Sequence, residues 1–129
     1  MPVSYGFDEG IITLRLVGEY TSADVRACLL DALCESPPAP QGLLVDLRDS
    51  SSIELRSLSE LTATWKFVAL HAARFGQRAA TLVHGHLAYG VARMGEVDLT
   101  VMGVENRVFR DAAEAHVWLR DRSGEAVAT

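Results

Sequence analysis

Leu43-Leu44-Val45-Asp46-Leu47 is a run of five residues with one polar member, and its reading decides the fold. A nearly continuous apolar run between Pro40-Gln41-Gly42 and the polar stretch Arg48 to Glu54 is the pattern of an interior strand covered on both faces. Asp46 is its one polar interruption. The polar stretch that follows carries three consecutive serines and reads as a loop leaving the carboxyl end of the strand.

On the amino-terminal side, Ser36-Pro37-Pro38-Ala39-Pro40 ends a helix, because proline lacks the amide donor and turns the preceding residue away from helical angles. That helix opens at a cap offered by Thr21 or Ser22. Val25, Cys28, Leu29, Ala32 and Leu33 recur along it at i, i+3, i+4, i+7 and i+8. Before it, Val3–Phe7 and Ile11–Val17 are β-rich runs joined by Asp8-Glu9-Gly10, a composition that suits a hairpin.

On the carboxyl side, Ser57-Leu58-Ser59-Glu60 has capping-box spacing, in which a Ser hydroxyl and a Glu carboxylate each satisfy an orphan amide. Leu58, Leu61, Trp65, Val68, Ala69 and Ala72 supply an apolar stripe that ends at Phe75-Gly76-Gln77. Ala79–Val83 is a further strand, left through His84-Gly85-His86. Leu87, Val91 and Met94 then mark one face of a short helix. Leu99–Met102 and Glu105–Phe109 are β-rich runs separated by Gly103, and the pattern makes one or both extended. Asp111 caps a last helix carrying Ala115, Trp118 and Leu119.

Strands alternating with helices imply parallel pairs, and the opening hairpin adds an antiparallel one, so the expected fold is α/β with a mixed sheet flanked by about four helices. Residues 1–122 form the expected domain, and Ser123–Thr129 reads as a tail with nothing to pack against.

The chain has 129 residues, a length at which one hydrophobic core can form without disulfides or metal. A net charge of −5 argues against a nucleic-acid partner, since the twelve cations, eleven Arg and Lys66, are scattered in sequence with no basic block. Cys28 and Cys34 lie about 9 Å apart along one helix and on different faces, so they do not bridge each other. The sequence contains no CxxC pair, signal segment or apolar run of membrane-spanning length, and the chain reads as cytoplasmic.

Leu87-Ala88-Tyr89-Gly90-Val91-Ala92-Arg93-Met94, and then Val108-Phe109-Arg110-Asp111 with Glu114-Ala115 and Trp118-Leu119, resemble the SpoIIAA-like (STAS/SEC14-related) family of small bacterial proteins. The likeness spans roughly residues 3 to 120. It implies a STAS/SpoIIAA-like domain, a regulatory or protein-interaction role, self-association as a homodimer or an unidentified protein partner, and no cofactor. Its SEC14-related side implies the alternative of a carrier for a lipid-like or nucleotide-like molecule, a small apolar or anionic ligand held between the sheet and the helix from Leu87 to Met94. Antagonists of the STAS type are switched by phosphorylation of a serine in an Asp-Ser-Ser-Gly-like loop. The matching stretch here is Glu54-Leu55-Arg56-Ser57-Leu58, where the acceptor position falls on Leu55 or Arg56 and Ser57 replaces the glycine, so Ser57 reads as a helix cap.

The enzymatic reading gathers Asp46, Asp49, Ser50, Ser51 and Ser52 with His84 and His86 at the carboxyl ends of two strands, where open α/β sheets tend to bind ligands. Its hydrolase form, Asp46 with Ser51 and His84, lacks a G-x-S-x-G elbow. The two histidines also lack the third ligand that a zinc site needs. His71 and His116 lie on helices, at a flank or at the edge of the core. Gly85 to Gly90 enters a helix from a strand but has neither P-loop nor dinucleotide spacing, and Gly90 reads as close packing against the sheet. Trp65 and Trp118 fall on apolar faces and read as core. The candidate interaction or ligand surface is therefore Asp49, Ser51, Ser57, Phe67, His84, His86 and Tyr89, with Phe67 and Tyr89 set off the main stripes.

Overall fold

The computed structural model describes residues 2–50 and 58–121. Five strands form one sheet in the order of the sequence: β1 Val3–Asp8, β2 Ile11–Leu16, β3 Gly42–Asp46, β4 Arg78–Leu82 and β5 Glu105–Phe109. β1 and β2 pair antiparallel, and every later pair is parallel, which gives the mixed sheet expected from the order of elements. The hairpin closes through Glu9 and Gly10 with φ of 52° and 83°, the two positive angles of a turn whose twist matches that of the flanking strands.

Helices α1 (Ser22–Glu35), α2 (Leu58–Leu70) and α3 (His86–Val101) make the three crossovers between neighbouring parallel strands. Each step moves the same way across the sheet, so right-handed connections put all three helices on one face. There Ile12, Leu14, Leu16, Leu43, Leu47, Ala79 and Val83 meet Val25, Leu29, Leu61, Val68, Ala92 and Leu99 in the larger core. Among the described elements α4 (Ala112–Arg120) alone covers the other face, packing Ala115 and Leu119 on Ile11, Leu44, Ala80, Leu82 and Phe109. The period-2 alternation of the strands thus divides Leu43 from Leu44 and Ala79 from Ala80 between two cores.

The local signals that set the helix starts are visible in their hydrogen bonds. Thr21 is the cap of α1, and its side chain and Asp24 exchange a reciprocal capping box, at 3.1 Å to the Asp24 amide and 3.0 Å from the Thr21 amide. All five apolar positions expected on α1 are buried. Asp111 caps α4 by accepting from the Ala113 amide at 2.8 Å. The Ser57 cap lies outside the described residues. Cys28 and Cys34 are both free thiols, the first buried and the second exposed.

The second half departs from the sequence reading in one element. The helix after His84-Gly85 is not short. α3 runs sixteen residues and takes in Leu99–Val101, so of the two β-rich runs around Gly103 it is Glu105–Phe109 that is extended. Its buried face is Ala92, Gly95 and Leu99, with Val91 partly buried against the same core, whereas Met94 points outward, half exposed. The helix is fixed in this rotation by Gly95, where an added Cβ would lie 2.3–2.6 Å from three atoms of the Trp65 indole on α2. Gly90, read as the close-packed glycine, instead faces open space. α3 stops at Gly103, whose φ of 87° a residue with a side chain adopts only at a cost. Trp65 and Trp118, expected in the core, are half-buried at its margins.

α3 also reaches sideways to β5. Glu96 Oε2 accepts the Val108 amide at 3.1 Å, on the side of β5 turned away from β4, and the same residue's Oε1 lies 3.7 Å from Arg93.

Candidate functional site

The carboxyl ends of β3, β4 and β5 and the start of α3 fall at one end of the sheet, and the residues singled out in the sequence are distributed around that end. Asp46 closes β3. Its Oδ1 accepts from the Arg48 amide at 3.1 Å and from Arg48 Nε at 3.0 Å, and its Oδ2 accepts from Arg48 Nη2 at 2.9 Å. Burial pushes the Asp46 carboxyl up, but the Arg48 side-chain and backbone hydrogen bonds outweigh it, with Arg15 adding to the pull, and the net displacement is below the ordinary carboxylate value.

A carboxyl whose pKa is lower folded than unfolded contributes stability that is full above its unfolded value, about 3.9, and is lost as pH falls through the folded value. Urea midpoints of the wild type are therefore expected to decline more steeply than those of Asp46→Asn as the pH is lowered from about 5 to 2. Parallel declines would show that the Arg48 pairing has no part in acid stability. The same three bonds tie the carboxylate to an arginine and not to an imidazole, which is the wrong orienting partner for the Asp46–His84 hydrolase arrangement.

Asp49 is exposed and pairs with Arg15 on β2 at 2.6 Å, while its carbonyl accepts the Gly18 amide at 2.9 Å. It is thus a clasp between the β3 exit and the β2 exit, reinforced by the Ser50 hydroxyl 3.2 Å from the Tyr20 hydroxyl. His84 and His86 are exposed, the second as the first residue of α3, and Gly85 opens that helix with φ 80° and no side-chain cap. Ser51 and Ser57 lie outside the described residues. Phe67 is half-buried on α2, its ring 4.6 Å from that of His71, whose Nδ1 lies 3.0 Å from the Phe67 carbonyl. Among the described residues no hydrogen bond, ion pair or ring contact joins Phe67, His84 or His86 to Asp49. Among the described residues no group of three His, Cys, Asp or Glu side chains is placed to hold a metal ion.

Tyr89 is different. It lies half-buried at the edge of the larger core, and two guanidinium groups approach its ring: Arg110 at 4.4 Å from the centroid and Arg93 at 6.0 Å. Arg107 sits over the Phe109 ring at 5.3 Å. These arginines carry no signal as a linear motif. Only Tyr89 and Arg93, spaced i and i+4 on one helix, form a pair readable in advance.

Between the sheet and the α2–α3 pair a small apolar cavity of about 80 Å³ remains, lined by Leu14, Leu16, Val45, Trp65, Val68 and Leu99 with Thr64, Thr81, Glu96 and Asn106 as its polar members. Ligand pockets for small organic molecules run to several hundred Å³, so this space is sized for a few atoms. The outer face of α3 is apolar instead: Met94, Val97 and Val101, spaced three and four apart, are 49%, 64% and 82% exposed, with Gly90 on the same stripe. No described helix is long and apolar enough to cross a membrane.

A scan against known protein-family models finds no match, and neither does a search of curated proteins. Among solved structures the chain is similar to an uncharacterized protein from the DUF3478 family with a SpoIIAA-like fold from Shewanella loihica PV-4, with a TM-score of 0.60, 19% identity and 91% of each chain covered. The five-stranded mixed sheet, the three helices on one face and α4 on the other make this chain's fold SpoIIAA-like.

Proposed function

We propose that this domain is a non-catalytic STAS-like module that acts by protein interaction, through a second copy of itself or through another protein. The observation that carries the reading is the outer face of α3. Three apolar side chains stand exposed there at helical spacing, opposite the face that packs on Trp65 and the sheet, and an exposed apolar stripe of this kind is the usual mark of an association surface. The SpoIIAA-like fold is consistent with such a role but does not establish it.

The alternative, a carrier of a lipid-like or nucleotide-like molecule, draws on the cavity beneath α2 and α3. At about 80 Å³ that space would have to open by displacing Trp65 and α3 before such a ligand could enter.

Native mass spectrometry of the freshly purified protein separates the two. The module reading expects a dimer mass without adduct, reverting to monomer in Val97→Glu/Val101→Glu. A monomer without adduct would restrict the reading to a heterologous partner. A monomer carrying a stoichiometric small-molecule adduct would replace it with the carrier.

A further inference from the structure

Arg93, Arg107 and Arg110 are far from forming a basic run in sequence, yet α3 and β5 lie side by side and bring them together around Tyr89 and Phe109. Arg107 and Arg110 line an open groove of about 360 Å³ together with Tyr89, Val108, Phe109 and Glu114, and Arg93 lies beside it, 6.0 Å from the Tyr89 ring centroid. In a chain with a net charge of −5 this concentration of cations is not a by-product of composition. Arg93 has its carboxylate in Glu96, at 3.7 Å. Among the described residues Arg107 and Arg110 have none, and their guanidinium groups lie over aromatic faces.

Those faces matter for what the arginines can still do. A guanidinium over a ring spends its π surface on the stack, while its N–H donors lie in its own plane and remain available at the edge. The ring also limits the rotamer freedom that an arginine must otherwise lose on binding. Two such forks, both exposed and neither paired with a carboxylate among the described residues, match the paired oxygens of a phosphate group, which accepts bidentate hydrogen bonds and carries enough charge to offset both. Glu114 is the one carboxylate in the lining, and it opposes an anion there.

We propose that this groove binds a phosphate-bearing small molecule, with Arg107 and Arg110 as the direct ligands and Arg93 adding to the local positive field. The site is separate from the α3 stripe, so its failure leaves the interaction reading untouched.

The test is isothermal titration of the full chain with inorganic pyrophosphate at constant ionic strength. Saturable binding is expected in the wild type. Arg107→Gln/Arg110→Gln should weaken it tenfold or more, about the cost of one lost charge-assisted hydrogen bond. Glu114→Gln should tighten it. Arg26→Gln, on α1, which packs over β1 and β2 at the other side of the sheet from β5, should leave it unchanged. Far-ultraviolet circular dichroism checks that each variant is folded. Absence of saturable binding to the wild type would overturn the proposal. So would equal weakening by Arg26→Gln, which would make the effect one of net charge, or weakening by Glu114→Gln, which would place the anion elsewhere.

Discussion

Gly95→Leu is expected to destabilise the protein by about 3 kcal/mol or more, and Gly95→Ala by about 1–2 kcal/mol, in urea unfolding followed by tryptophan fluorescence. The sign for alanine is informative, because mid-helix Gly→Ala ordinarily stabilises by about 1 kcal/mol. Here the new Cβ would fall 2.3 Å from Trp65 Cε2, 2.5 Å from Cζ2 and 2.6 Å from Nε1, far inside contact distance. Either α3 lifts from α2 or the indole is driven out from between them, and both open the apolar space that Trp65 lines. Two controls isolate the cause. Gly90→Ala, on the same helix but facing open space, should be neutral or stabilising. In a Trp65→Ala background Gly95→Ala should also become stabilising, a reversal that a double-mutant cycle reads directly. If Gly95→Ala stabilises the wild type, α3 does not approach α2 as closely as described.

Arg78→Met should cost about 2–4 kcal/mol and loosen α4 before the rest of the fold. Arg78 opens β4 and is one of two buried charged residues among those described. Its guanidinium lies 4.4 Å over the Trp118 ring, donates from Nη1 to the carbonyls of Trp118 at 2.8 Å and Asp121 at 2.7 Å, and donates from Nε to Glu105 at 2.5 Å. Trp118 lies in the last turn of α4 and Asp121 is its C-cap, and a cation there complements the helix dipole. α4 is the only described helix on its face, and its other polar ties to the sheet, Arg120 with Glu9 and His116 with Asp8, are more exposed than the buried Arg78. Lysine should recover little, since an ammonium cannot stack flat on Trp118 while forking to two carbonyls. Hydrogen exchange would show α4 amides losing protection ahead of β3 and β4. Uniform loss, or a cost below about 1 kcal/mol, would contradict the tether.

The pattern of what could be read in the sequence has a physical basis. The β3 run, the five buried positions of α1, the Thr21 and Asp111 caps and the Glu9-Gly10 turn were legible because each is decided by residues close together in the chain. The sequence leaves open which of Leu99–Met102 and Glu105–Phe109 is extended, because the β-branched composition of the first competes with the helical register set by Ala92 and Leu99. That register passes through Gly95, which counts as nothing on a hydrophobic scale yet sits at the tightest point of the helix pair. Spacing could not tell Gly90 from Gly95, since only a neighbour on α2 distinguishes them. Arg78, next to an apolar strand, looks like a solvated strand end until α4 folds over it. The arginine groove was hidden for the same reason, as a product of α3 and β5 being neighbours, while Tyr89 was visible as an aromatic off its helix stripe.

The bond from Glu96 to the Val108 amide bears on how copies of this protein can meet. β5 is the last strand of the sheet, and an unguarded last strand is a template on which a neighbouring molecule can lay its own backbone, copy after copy, into a fibre. With the Val108 donor already taken by a carboxylate from α3, an incoming strand would have to expel a charged group to gain that bond. Growth of the sheet through β5 is thereby disfavoured at its midpoint, by one carboxylate that comes from a helix and not from the strand itself.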